Sequence, residues 1–260
     1  MKSLLWWQKG MIGFVFGVLM FLYLPIVMLV LFSFNDSSVT SFPLAGFTWR
    51  WYQAVLANEQ MLRALGNSLI VASAATAITL SLGTLAALAL DRYDFPGKGL
   101  FQNAILLPLS LPGLVTGIAM LNFYKQLGIP QSLTAVVIGH ATALLGVVVS
   151  QVMARLAKLD ARQAEASADL GAGPFETFRR VTLPAIRPAI LGAGLLSFTL
   201  SFDEIPVTYF LTGREITLPI YIYSTLRRGI TPEINAIGAL IVAASIGLII
   251  LSVGLLRDRK

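Results

Sequence analysis

Two adjacent acids, Asp203 and Glu204, interrupt an otherwise apolar stretch running from Ala189 to Leu211. Placing a carboxylate at mid-bilayer costs about 2.5–3.5 kcal/mol on insertion scales, so such residues face a cavity, a partner or an ion path rather than lipid. Successive helical positions point about 100° apart, so both acids serve one point only where the helix breaks. Pro206 predicts that break, because it has no N–H to offer the Phe202 carbonyl. With Phe202, Tyr209 and Phe210 close in sequence, a carboxylate here suits an ammonium group, held by charge and by cation–π contact. Two other roles compete: pairing with a Lys or Arg of another subunit, or a protonated, hydrogen-bonded structural acid.

The remaining chemistry is sparse. The chain has 260 residues, no Cys and a single His, which excludes thiolate chemistry, disulfides and a His-cluster metal site. Neither a Ser-His-Asp nor a Cys-His arrangement is available, and no carboxylate pair stands in a hydrolytic context. A phosphate-cradling Gly-x-x-x-x-Gly-Lys-Ser/Thr is also missing, since Arg92 occupies the place of the leading Gly before Gly97-Lys98. His140, near Gly139 in an apolar block, reads as a hydrogen-bonded packing residue rather than a proton relay.

A second polar region lies between apolar blocks. Gln163 to Leu170 holds good helix formers, and Gly171-Ala172-Gly173-Pro174 predicts a stop and a turn. Pro174 is expected to open a second short helix that carries Phe175, Phe178 and Val181 on one face and ends at Pro184. More than about 30 residues between spans exceeds the usual connection length, and such segments are functional or disordered. This one has the composition of helix. The alternative is a solvated connection whose charges only set orientation.

The elements that must position these residues are long and apolar. Hydrophobic residues make up 56% of the chain and charged residues 12%, about half the share of a soluble domain. Mean hydropathy is +0.78. Six blocks each reach the roughly 20 residues needed to span a bilayer: Met11–Phe34, Gly66–Leu90, Phe101–Tyr124, Leu133–Ala154, Ala189–Leu211 and Ala236–Leu256. Without water in the hydrocarbon, helices are the structures that satisfy their own backbone, and period-two alternation is absent. The expected fold is therefore all-α and polytopic, a single transmembrane domain over 1–260 with six helices.

Thirteen of the 19 Lys and Arg residues fall on one side of these blocks, among them Lys2, Lys9, Arg92, Lys158, Arg162, Arg257, Arg259 and Lys260. The basic side is cytoplasmic, which puts both termini and the 163–184 segment inside. The first block is too long for a cleaved signal and reads as a retained anchor. A net charge of +6 does not imply nucleic acid, since the basic residues form no stripe interleaved with aromatics. On the outer side, Phe47, Trp49, Trp51 and Tyr52 suit an interfacial belt in contact with lipid, with a short helix at Arg50–Leu56; a docking surface is the alternative. In the third block, Pro108, Pro112, Gly113 and Gly117 interrupt or thin the helix, for a cavity lining or close helix packing.

The 165–184 segment resembles the EAA loop of ABC-importer permeases. Glu165, Gly171, Leu183 and Pro184 keep that spacing, while Ser167 and Val181 replace an Ala and an Ile. The resemblance implies that Glu165, Ala166, Asp169, Gly171, Phe175, Leu183 and Pro184 form a cytoplasmic coupling loop, between the fourth and fifth spans, that docks on a separate ATPase. Leu200 to Gly213, Leu218-Pro219-Ile220-Tyr221 and Leu107 to Gly113 are similar to the second permease of spermidine/putrescine importers. That likeness implies a bacterial inner-membrane subunit working with a homologous permease, two ATPase subunits and a periplasmic binding protein. It also implies a small polycationic substrate met by Asp203, Glu204, Phe202, Tyr209 and Phe210. ATP and Mg would reside on the ATPase partners, and this chain would bind no cofactor and catalyse no reaction. Permeases of this kind also carry other amines or opines. An ion-coupled secondary carrier of an amine is the reading from a different class, and it needs no cytoplasmic dock. A membrane scaffold fits the intramembrane acids and broken helices poorly.

Overall fold

The computed structural model describes residues 6–39, 41–160, 162–229 and 231–257, with side chains followed to residue 247. Lys2, Arg259 and Lys260, which entered the charge asymmetry, lie outside the described residues, as does the side chain of Arg257. Among the described residues the structure is helical, with one isolated β-bridge between Asn35 and Phe47. Helices α1 (Trp6–Ser33), α2 (Arg50–Ala57), α3 (Glu59–Arg92), α4 (Lys98–Ser110), α5 (Gly113–Gln126) and α6 (Leu133–Leu156) come first. They are followed by α7 (Arg162–Asp169), α8 (Pro174–Thr177), a π-helical turn (Phe178–Thr182), α9 (Leu183–Phe202), α10 (Pro206–Leu211), α11 (Leu218–Leu226) and α12 (Pro232–Arg257).

Four described helical runs are long and apolar enough to cross a bilayer: Trp7–Ser33, Glu59–Arg92, Leu133–Leu156 and Pro174–Phe202. The third predicted span is not one straight helix. Helices α4 and α5 meet at 115°, and the pair makes a fifth span only if counted as one. Pro108 sits inside α4 without ending it, whereas Leu111 is extended (φ −90°, ψ 139°) directly before Pro112. The ring of a proline disfavours helical backbone in the residue before it, which places the bend at Leu111. The described apolar part of α12 is Pro232–Gly247.

The fifth block is also divided. Helix α9 stops at Phe202 and α10 starts at Pro206, so the helix ends ahead of the proline instead of kinking through it. At the other end the helix expected to finish at Pro184 runs on to Phe202. A π turn at Phe178–Thr182, where the Leu183 N–H reaches back to the Phe178 carbonyl, shifts the pairing by one residue. Pro184, which has no N–H to give, falls at this change of register. The expected Phe175–Phe178–Val181 face is not buried as a unit: Phe175 is 75% exposed, Phe178 and Val181 are half-buried, and the buried positions are Thr177, Thr182 and Ile186.

The contacts divide the chain into two units, Met1–Leu62 with Ile222–Lys260, and Arg63–Tyr221. In the first, α1 packs on α12, and the segment 34–52 folds back onto the end of α1. Phe34 stacks on Phe47 at 4.9 Å and meets Trp49 edge-on at 4.9 Å. The Trp51 indole donates to the Asn35 carbonyl at 2.8 Å, and Arg50 pairs with Asp36 at 2.8 Å. The expected short helix is α2.

In the second unit, α6 is the central element, packed by α4, α9 and α10. One core joins Leu90, Ile105, Val148, Val149, Val152 and Ile186. Another joins Val71, Tyr124, Val136, Val207 and Leu211. The 216–218 segment is tied to α3, with Asn67 donating to the Ile216 carbonyl at 3.0 Å and the Leu218 N–H donating to Ser68 at 2.8 Å.

Candidate substrate path and coupling surface

The break between α9 and α10 separates the two acids. Asp203 caps the end of α9, its N–H bonded to the Thr199 carbonyl, and its side chain is exposed. Glu204 turns inward. Its two oxygens accept from the N–H groups of Val207 (3.0 Å) and Thr208 (2.9 Å), two of the four donors that a helix start leaves unpaired. Glu204 is thus held by the first turn of α10. Tyr209 is exposed, and Phe202 and Phe210 are half-buried. Phe202 stacks with Phe198 at 6.1 Å, and Tyr209 meets Phe210 edge-on at 5.5 Å.

Sequence reasoning missed how the break is held. His140 on α6 is 1% exposed, with Nδ1 at 2.8 Å from Ser201 Oγ and Nε2 at 2.8 Å from Thr208 Oγ1. Nε2 also stands 3.5 Å from Oε2 of Glu204. The Thr208 hydroxyl donates to the Glu204 carbonyl at 2.9 Å, leaving its oxygen to accept. That assigns the ring proton to Nε2 and leaves Nδ1 to accept from Ser201. His140 is the hydrogen-bonded packing residue its setting suggested. The signal for its partners was faint: hydroxyls at Ser201 and Thr208 flanking the acids, and a lone imidazole in a different apolar block.

Close packing fixes α10 from the other side. A Cβ on Gly117 would meet Phe210 Cδ2 at 2.8 Å, the Pro206 carbonyl oxygen at 3.0 Å and Val207 Cα at 3.1 Å, so α5 approaches the α10 backbone where only glycine fits. Gly113 faces Pro206 in the same way, at 3.3 Å. The Gln131 amide donates to the Phe210 carbonyl (2.7 Å) and the Ser132 N–H to the Leu211 carbonyl (3.0 Å), which secures the far end.

The candidate coupling segment, 162–184, is a separate surface. Helix α7 ends in a Schellman turn: the Gly171 N–H bonds to the Ala168 carbonyl at 2.8 Å and the Ala172 N–H to the Ser167 carbonyl at 3.1 Å. Gly171 has φ +85°, the left-handed conformation in which a side chain is strained. Glu165, Ala166 and Asp169 are exposed on α7, Pro184 is exposed, and Leu183 is half-buried. Leu170, 90% exposed, and Phe175 present apolar side chains on either side of the elbow. Beneath them Ser167 and Thr177 are hydrogen-bonded at 3.0 Å. Arg92, at the end of α3, donates to Thr182 at 3.0 Å, and Arg155, at the end of α6, donates to the Ala185 carbonyl at 2.9 Å. A knob bearing two exposed apolar side chains is thereby anchored to two long helices. From Pro174 the helical run continues for 29 residues to Phe202, beside Asp203.

Residues 79–258 match the family described as the binding-protein-dependent transport system inner membrane component. The chain belongs to this family. Among curated relatives, this ABC-importer permease is 36% identical over 248 residues to the spermidine/putrescine transport system permease protein PotC of Escherichia coli (strain K12), covering 95% of this chain and 94% of the relative. It is 38% identical over 232 residues to the putrescine transport system permease protein PotI of the same strain, covering 86% and 82%. Among solved structures, the permease aligns with a chain of a bacterial ABC transporter that imports the acidic polysaccharide alginate. The TM-score is 0.76 and the identity 17%, over 98% of this chain and 96% of that one, a likeness of fold. The helices described above are those of a multi-pass inner-membrane permease.

Proposed function

We propose that this chain is the permease subunit of a polyamine importer, carrying putrescine- or spermidine-type cations across the inner membrane with energy from separate ATPase subunits. The carrying observation is identity of 36–38%, across nearly the full length, to permeases of spermidine and putrescine systems. The exposed carboxylate of Asp203 at the break, with Tyr209 exposed and Phe210 beside it, supports a cationic substrate. In this reading the chain is one transmembrane domain of six spans with both termini cytoplasmic, α4–α5 and α12 supplying two of the spans. It works beside a homologous permease, two ATPases and a periplasmic binding protein, and ATP and Mg stay on the ATPases.

The anchored elbow suits a mechanical role. Closure of ATP-bound partners displaces α7 and the Leu170/Phe175 knob. The helical run from Pro174, about 43 Å long at the usual rise per residue, carries that displacement to the turn beside Asp203. Uptake of labelled putrescine and spermidine by the complete complex in proteoliposomes, with binding protein outside and ATP inside, tests the function. ATP-independent uptake that follows an imposed proton gradient would replace it with a secondary carrier.

A further inference from the structure

We infer that His140 is a positioning residue for transport: it pins the unwound turn Asp203–Ile205 to α6 and so sets where the Asp203 carboxylate is presented. The inference rests on reading Asp203 as a path residue. The turn lies between two helices, so its shape depends on side chains that bridge the gap. His140 is the bridge. Its two nitrogens take hydroxyls from opposite sides of the break, Ser201 in the last turn of α9 and Thr208 in the first turn of α10.

The acid inside the break completes the arrangement. Glu204 caps α10 through Val207 and Thr208 and directs Oε2 toward Nε2 of the same imidazole. With Glu204 drawn inward, its neighbour Asp203 is the acid left exposed. The platform under the pin is close-packed: Val136 and Val148 on α6 are fully buried, and Gly139, next to His140, lies against Leu211 and Val207 of α10. A movement of α9 relative to α6 is therefore opposed or guided at the turn by one buried ring.

The test uses the complete transporter in proteoliposomes, with His140→Leu, His140→Gln and Thr208→Val. Each is also combined with Asp203→Cys, in a chain that otherwise has no Cys. Two readouts are taken: polyamine uptake, and the rate at which the cysteine at 203 reacts with a trimethylammonium-bearing methanethiosulfonate. Loss of the two imidazole bonds is expected to lower uptake about tenfold in His140→Leu and to change the labelling rate about threefold or more. Gln spans donor and acceptor at similar separation, so His140→Gln should restore both to within about twofold. Wild-type uptake in His140→Leu, or an unchanged labelling rate, overturns the inference. Should His140→Leu fail to assemble, Thr208→Val, which removes the hydroxyl partner of Nε2 together with the bond from Thr208 to the Glu204 carbonyl, is judged by the same two outcomes. Asp203→Asn runs alongside: normal uptake there overturns the path reading itself, whereas the labelling comparison still decides whether His140 positions the turn.

Discussion

Arg92 donates to the hydroxyl of Thr182 at 3.0 Å, joining the end of α3 to the π turn that leads from the α7–α8 elbow into α9. Hydrogen bonds to a charged group contribute about 1.5–3 kcal/mol, enough to keep a short turn in register. Arg92→Ala should leave the complex assembled and hydrolysing ATP but reduce uptake per ATP by about tenfold. Thr182→Val should do the same to a smaller extent. Full uptake in Arg92→Ala, measured against ATPase rate on one preparation, would show that this contact carries no coupling.

Gly171 closes α7 at φ +85°. A side chain there costs about 1–2 kcal/mol, and Asn tolerates the conformation better than Ala. We expect Gly171→Pro to abolish transport with membrane insertion intact, Gly171→Ala to weaken it, and Gly171→Asn to lie closest to wild type. The measurement is ATPase co-purification beside uptake. Wild-type values of both in Gly171→Pro would remove this elbow from the dock.

The two acids should separate by phenotype. Asp203→Asn keeps the shape and removes an exposed charge, so uptake should fall strongly while complex yield and thermal stability hold. Glu204→Gln weakens the cap on α10, and loss of a cap is worth about 0.5–2 kcal/mol, so thermal stability should fall with uptake. A reversed pattern, with Asp203→Asn unstable and Glu204→Gln stable but inactive, would exchange their roles.

Gly117 and Gly99 offer a packing comparison. A Cβ at 117 meets backbone atoms of α10 at 3.0 and 3.1 Å, while one at Gly99 meets nothing within 4 Å. Gly117→Ala should lower stability by about 1–3 kcal/mol, as overpacking does. Gly99→Ala, inside α4, should be neutral or slightly stabilising. Thermal unfolding in one detergent compares the two, and equal effects would mean that α5 and α10 do not approach this closely.

Orientation is accessible to labelling. A cysteine replacing Lys158 should react with an impermeant thiol reagent only from the cytoplasmic side, and one replacing Arg50 only from outside. Losing the exposed Arg50–Asp36 pair costs little, so the second variant should fold. Reaction of the 158 site in sealed cells would invert the topology.

Properties of single segments were legible in the residues: the apolar length of four of the six expected spans, the stop at Gly171, the helix at Arg50 and the break near Pro206. Each depends on neighbours in sequence, on backbone hydrogen bonds along one helix or on the cost of a charge in hydrocarbon. The 115° bend at Leu111 needed one more term, the freedom of α4 to pack on α6 while α5 packs on α10. The π turn was hidden, because an assumed 3.6-residue period contains no extra residue to shift the faces. Which acid stays exposed was decided only in three dimensions. Asp203 and Glu204 are adjacent carboxylates of similar chemistry, and what separates them is the cap that Glu204 makes on α10 together with His140, which meets Glu204 from 64 positions away in the chain. No local pattern encodes a contact of that separation; it exists because α6 packs between α9 and α10.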